Sequence, residues 1–123
     1  MIRGGVNDRL EAVLSVGVGG AGGRQHSVEA VIDTGYSGFL TLPRALTQML
    51  AFLRVGRGAA TLADGSEARF DVYHAVVNWD GQPLATQVDQ VDTTPLLGMA
   101  MLEQHELRTP VVEGGQVTVE PLP

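Results

Sequence analysis

Turn-forming residues interrupt this chain so often that no long regular element fits between them. Glycine supplies 16 of the 123 residues, about twice its usual share. The turn signals fall at Gly17 to Gly23, Asp33-Thr34-Gly35, Asp64-Gly65, Asp80-Gly81 and Gly114-Gly115. Between them the apolar residues recur mostly with period two, the mark of strands. From His26 to Asp33, for example, Val28, Ala30 and Ile32 share one face and Ser27, Glu29 and Val31 the other. Ala59 to Ala63 leads through Asp64-Gly65 into Ala68 to Trp79, where Ala68, Phe70 and Val72 alternate with charged residues. This is the clearest hairpin, since Asp-Gly suits a tight two-residue turn. Further strands are expected at Glu11 to Val18, Phe39 to Leu42, Leu84 to Val91 and Val117 to Val119.

Two segments break that period. Pro43 opens a helix in which Leu46, Met49, Leu50, Phe52 and Leu53 form a buried stripe, and Gly56 and Gly58 end it. A second, short helix is expected from Met99 to about Glu106, after Pro95-Leu96-Leu97-Gly98. Six or seven short strands with one early helix and a short C-terminal one predict a mainly β fold. The expectation is a small closed β-barrel, a single domain over 1–123. A chain of this length buries roughly two thirds of the surface it would expose unfolded.

Charge and composition then narrow the chemistry. With 8 basic and 14 acidic residues the formal net charge is −6, which argues against a nucleic-acid or anionic-membrane partner. Every basic residue is Arg, so Schiff-base lysines and the phosphate-loop lysine are excluded. The absence of Cys excludes thiol nucleophiles, disulfides and cysteine-ligated metals. Ala12 to Val18 is broken by Ser15 and Gly17, and no stretch approaches the roughly 20 apolar residues of a membrane helix. A soluble, cytoplasmic protein is expected.

Several motifs are weaker than their spelling. Gly17, Gly19 and Gly22 match G-x-G-x-x-G, but the dinucleotide mechanism needs a helix N-terminus directly afterwards. Here a β-alternating run comes next, so the tract reads as a hairpin turn. His26, His74 and His105 lie too far apart for a ligand pair, with His74 on a strand and His105 on the short helix. Ser37 has no G-x-S-x-G setting, which disfavours a serine hydrolase. No loop has calcium-ligand spacing.

Asp33-Thr34-Gly35 stands out through its setting. Chance produces an Asp-Ser/Thr-Gly triplet in about one chain in ten of this composition. Here the aspartate ends the apolar strand Ala30-Val31-Ile32, where Asp is otherwise a poor choice. Two readings stand side by side: an Asx turn, or a carboxylate placed at the mouth of an apolar core for acid–base work.

Val31-Ile32-Asp33-Thr34-Gly35-Tyr36-Ser37, followed by Phe39-Leu40-Thr41-Leu42-Pro43, resembles the active-site segment of the retropepsin-like aspartic proteases, most of all their bacterial members, in which a helix follows. Pro95-Leu96-Leu97-Gly98-Met99-Ala100-Met101-Leu102 is similar to the family's second motif, and Ala63-Asp64-Gly65-Ser66 falls at the tip of the hairpin the family uses as a flap. The resemblance spans roughly Val28 to Leu107. It implies Asp33 as the catalytic carboxylate, Thr34 as a hydrogen-bonding residue across a dimer interface, and Gly35 as the point of close substrate approach. It implies that Tyr36, Ser37 and Ala63, Asp64, Gly65 and Ser66 border a bound peptide, and that Leu96, Leu97 and Gly98 pack under the Asp33 turn. Tyr36 replaces the small residue usual after the glycine. In the alternative reading its ring restricts the cleft, and the fold serves binding or assembly.

Only one Asp-Thr-Gly occurs. The family's chemistry needs two carboxylates about 3 Å apart sharing a proton. The resemblance therefore implies a homodimer that sets Asp33 against its own copy and hydrolyses peptide bonds with no metal or organic cofactor. The stretches from about Leu10 to Val18 and Val117 to Glu120, expected as sheet edges, are the candidates for the interface.

Overall fold

The computed structural model describes residues 1–20 and 25–123. Among the described residues ten strands and two short helices follow one another: β1 (Ile2–Val6), β2 (Ala12–Gly19), β3 (Gln25–Ile32), β4 (Leu40–Leu42), α1 (Arg44–Met49), β5 (Leu53–Thr61), β6 (Glu67–Trp79), β7 (Gln82–Gln90), β8 (Leu96–Leu97), α2 (Met99–Leu102), β9 (His105–Arg108) and β10 (Gln116–Pro121). The fold is mainly β, as the turn spacing predicts. Strands β6, β7, β4, β8, β3 and β2 pair in that order, and β2 pairs back to β6 to close a ring. Among the described residues the sheet continues from β2 through β1 and β10 to an unpaired edge at β9, and from β6 to an unpaired edge at β5.

Inward-facing residues of the ring make the core: Leu14, Val16 and Val18 of β2, Val28 and Ala30 of β3, Leu40 and Leu42 of β4, Ala75, Val77 and Trp79 of β6, Val88 of β7 and Leu97 of β8. Among the described residues no helix is long and apolar enough to cross a membrane. The period-two reading of β3 holds, with Val28 and Ala30 buried and Ser27 and Glu29 exposed. Asp80 and Gly81 take φ 53° and 82° at the two-residue β6–β7 turn, as a tight hairpin requires, whereas the β5–β6 connection is longer than a two-residue turn, running from Leu62 to Ser66 with Gly65 at φ +85°. Antiparallel pairing of β2 with β3 runs out to Gly19 opposite Gln25. Of the expected glycine-tract turn, Gly17, Val18 and Gly19 belong instead to β2, while Gly22 and Gly23 lie outside the described residues, beyond which the chain is a strand from Gln25.

Four expectations need correction. The first helix stops at Met49 rather than reaching Gly56. Ala51 reverses the chain at φ 52°, and Leu53 and Met49 are exposed. Gly56 and Gly58 belong to β5. There Gly58 faces Phe70 across the hairpin, and a Cβ at Gly58 would meet the ring at 2.7 Å, so the glycine makes room for the aromatic. The second helix has only 4 residues. It ends where Gln104 takes φ 65°, and His105 lies on β9, not on a helix. Strand count among the described residues rises to ten because β1 and β9 carry too little apolar periodicity to be seen locally and β8 has only two residues, Leu96–Leu97. Finally, the Leu10–Val18 and Val117–Glu120 segments are not edges. β2 is paired with β1, β3 and β6, and β10 lies between β1 and β9.

Candidate active site

Asp33 comes directly after the last residue of β3, where the strand leaves the core. Its N–H donates to the Leu97 carbonyl (2.9 Å), continuing the parallel pairing of Val31 with Leu96 and Ile32 with Leu97. The backbone then turns back: Gly35 N–H donates to Asp33 Oδ1 (2.9 Å) and Tyr36 N–H to the Asp33 carbonyl (3.1 Å). The Asx turn and the carboxylate at the core's mouth are thus one geometry, in which the turn holds the acid in place. Asp33 Oδ2 has no hydrogen-bond partner among the described residues. Thr34, Gly35 and Ser37 are exposed, and the Thr34 and Ser37 hydroxyls make no hydrogen bond among the described residues.

The second motif lies against this turn. Beyond the β3–β8 pairing, the N–H groups of Gly98, Met99 and Ala100 donate to the carbonyls of Phe39 (2.9 Å), Tyr36 (2.8 Å) and Gly38 (3.1 Å). Leu96 N–H donates to Thr41 Oγ1 (2.9 Å). Leu97 is fully buried and pairs with both β3 and β4. Gly98 has no space for a side chain, because a Cβ would lie 2.6 Å from Tyr36 Cδ2 and 2.7 Å from the Tyr36 carbonyl oxygen. Asp33, Thr34 and Gly35 are therefore brought together with Leu96, Leu97 and Gly98.

Tyr36 is half-buried, with its ring packed against Gly38 and Gly98. Its hydroxyl donates to Asp89 Oδ2 on β7 at 2.6 Å. Burial, then that hydrogen bond, then the charge of Asp89 push the phenol above its ordinary range. Asp89 is a residue that sequence reasoning missed. It lies 53 positions from Tyr36, and no local pattern marks the pair.

The hairpin tip stands apart. Leu62 N–H donates to the Ser66 carbonyl (2.8 Å) and Gly65 N–H to the Leu62 carbonyl (2.9 Å). Asp64 Oδ1 accepts from the Ser66 hydroxyl and backbone N–H, and these bonds hold its carboxyl below the usual carboxylate range. Ala63, Asp64, Gly65 and Ser66 are all exposed, and no hydrogen bond among the described residues joins them to the Asp33 segment. Along the hairpin's flank a groove of about 440 Å³ runs between Arg57, Phe70 and Asp71 and the end of β7 at Gln90, with Val91 directly after it. Asp33 does not line it.

No family model matches the chain, and no curated protein matches it in sequence. Among solved structures it is similar to the EIAV protease complexed with the inhibitor HBY-793, with a TM-score of 0.60 over 76% of this chain and 86% of that one, at 16% sequence identity. The ring of strands, with the Asp33 turn clamped by the Leu96–Gly98 segment, is a retropepsin-like fold.

Proposed function

We propose that the chain is an aspartic endopeptidase that works as a homodimer, with Asp33 of each copy supplying one carboxylate of a shared dyad. The observation that carries this reading is the Asp33 turn itself. One carboxylate oxygen is tied to Gly35 N–H, the other has no partner among the described residues, and the whole turn is clamped by the Leu96–Gly98 segment. In the proposed reaction one carboxylate takes a proton from the attacking water. The other, carrying the proton that the pair shares, protonates the carbonyl oxygen of the substrate peptide. Water adds to the peptide carbon, and the tetrahedral intermediate collapses with cleavage of the C–N bond. The titration belongs to the pair, not to one residue.

Gly35 keeps the carboxylate approachable, since a Cβ there would lie 3.2 Å from Asp33 Oδ1. Thr34, exposed with a free hydroxyl, is suited to meet its copy across the two-fold axis. Ala63 to Ser66, at the exposed tip of the β5–β6 hairpin, are suited to cover a bound peptide beside Ser37. Support for the catalytic reading over a blocked binding module comes from Tyr36, whose ring is held back by Gly38, Gly98 and Asp89. Helix α1 directly after β4 supports placing the chain near the family's bacterial members.

The test is a peptide-library digest at mildly acidic and neutral pH with Asp33→Asn and Asp33→Ala beside the parent chain. Both substitutions are expected to leave folding largely intact and to abolish cleavage. Retained proteolysis in a clean D33A preparation refutes the assignment. A transition-state mimic of the pepstatin type at about 100 times Kd should stabilise the parent by about 2.7 kcal/mol, whereas a closed cleft gives no shift.

A further inference from the structure

The chain is strongly acidic, with a net charge of −6 and only eight basic residues, all Arg. Three of those eight, Arg44, Arg57 and Arg69, line the groove between the flank of the β5–β6 hairpin and the end of β7. A fourth, Arg54, is held beside it by Asp71. Against the three arginines the groove sets two acids, Asp71 and Asp92, so that its lining carries an excess of positive charge where the molecule as a whole is negative.

The acids in the groove are engaged and the bases are not. Asp71 Oδ1 accepts from Arg54 Nε at 3.1 Å, and Arg57 Nε lies 3.7 Å from the same oxygen, too far for a hydrogen bond. Asp92 Oδ1 accepts the backbone N–H of Arg44 at 2.8 Å, and the Arg44 guanidinium has no hydrogen bond or ion pair among the described residues. Arg69 meets Glu67 at 3.3 Å on the open surface, and an exposed pair of that kind contributes little and is readily exchanged. Gln90 accepts from Thr47 Oγ1 through its Oε1 at 2.6 Å, which leaves its NH2 without a partner among the described residues. In register Arg57 stands directly opposite Asp71, and Arg69, two residues along β6, shares that face. The groove therefore offers two guanidinium groups from the hairpin, a third from the start of α1 and an amide from β7, with Phe70 and Val91 adding apolar surface.

Resting on the peptide-cleaving reading of Asp33, we propose that this groove is a second peptide-binding site that takes acidic side chains, so that favoured substrates carry Asp or Glu outside the residues flanking the scissile bond. A guanidinium fork meets a carboxylate through two parallel hydrogen bonds, which a neutral Gln does not reproduce. The net charge of the chain repels acidic peptides in general, so recognition has to come from a local cluster of this kind. Neither the Asp33 turn nor the hairpin tip lines the groove, yet both are joined to it. Gln90 pairs with Leu42, and Val91 N–H donates to the Leu42 carbonyl (3.0 Å) at the end of β4, the strand that comes after the Asp33 turn. The opposite wall is the flank of the hairpin whose tip covers the peptide in the proposed reading.

Fluorescence anisotropy on the Asp33→Asn chain tests the groove without cleavage. The probe is a labelled pool of extended peptides with Glu at alternate positions, beside the same pool with Gln in its place. The Glu pool should bind about tenfold tighter or more, and the preference should fade as salt is raised. R44E and R69E each reverse a cation of the groove and should erase the preference, and the milder R44Q and R69Q should each reduce it. Circular dichroism and melting check that every variant is folded. Equal binding of the two pools, or a preference that survives both charge reversals, overturns the proposal. So does an oligothymidylate that binds as tightly as the Glu pool, because it marks a general polyanion surface. The two readings fail separately. An arginine-dependent preference for Glu in a chain whose parent cleaves no peptide refutes the protease and leaves the groove standing, whereas Asp33-dependent cleavage with equal binding of the two pools does the reverse.

Discussion

Replacing Tyr36 with Phe removes one oxygen and leaves the ring's packing on Gly38 and Gly98 unchanged, so the effect isolates the bond to Asp89. That bond is 2.6 Å long and part-buried. A hydrogen bond to a charged group contributes about 1.5–3 kcal/mol, and the partial exposure of both residues puts this one at the low end, near 1.5 kcal/mol. The pH dependence comes from the raised phenol. A free tyrosine ionises near pH 10, and in the folded chain ionisation is postponed above that. The contribution is therefore complete below about pH 10. It is lost as pH rises further, because the unfolded chain releases the proton while the folded one must still hold it. Urea unfolding from pH 7 to pH 11 is the assay. Y36F should be about 1.5 kcal/mol less stable at pH 7, and the gap should shrink above pH 10. Equal stability at pH 7, or a gap that stays constant to pH 11, refutes the reasoning.

Other substitutions probe the same architecture. Gly98→Ala drives a Cβ into Tyr36 at 2.6 Å, and should cost about 1–3 kcal/mol and lower peptide cleavage; a G98A chain with parental melting temperature and activity contradicts the clamp. Leu97→Ala empties a fully buried site shared by β3, β4 and β8, for a loss of about 2–5 kcal/mol by denaturant unfolding. Thr86 is 4% exposed and its hydroxyl is buried without a partner, so Thr86→Val should be neutral or stabilise by up to about 1 kcal/mol. A T86V chain that melts lower would show that the hydroxyl is satisfied.

What could be read from the residues alone was local. Asp80-Gly81 and Asp64-Gly65 specify turns because few other residues accept positive φ. The alternation of Val28, Ala30 and Ile32 specifies one face of β3 because side chains in a strand point alternately to its two sides. Asp33-Thr34-Gly35 and Leu96-Leu97-Gly98 were visible as separate motifs on the same grounds. What they do together depends on pairings between distant segments. The Phe52-Leu53 stripe looks helical until the pairing of Leu53 with His74 outweighs a weak local preference, since propensity differences are a fraction of a kcal/mol per residue. His105 becomes a strand residue only because β10 lies beside it, and Tyr36 finds Asp89 only after β4 and β7 align. Which strands are edges is a property of the whole sheet: β10 looks terminal in the chain, yet it is interior, and among the described residues the sheet ends at β5 and β9.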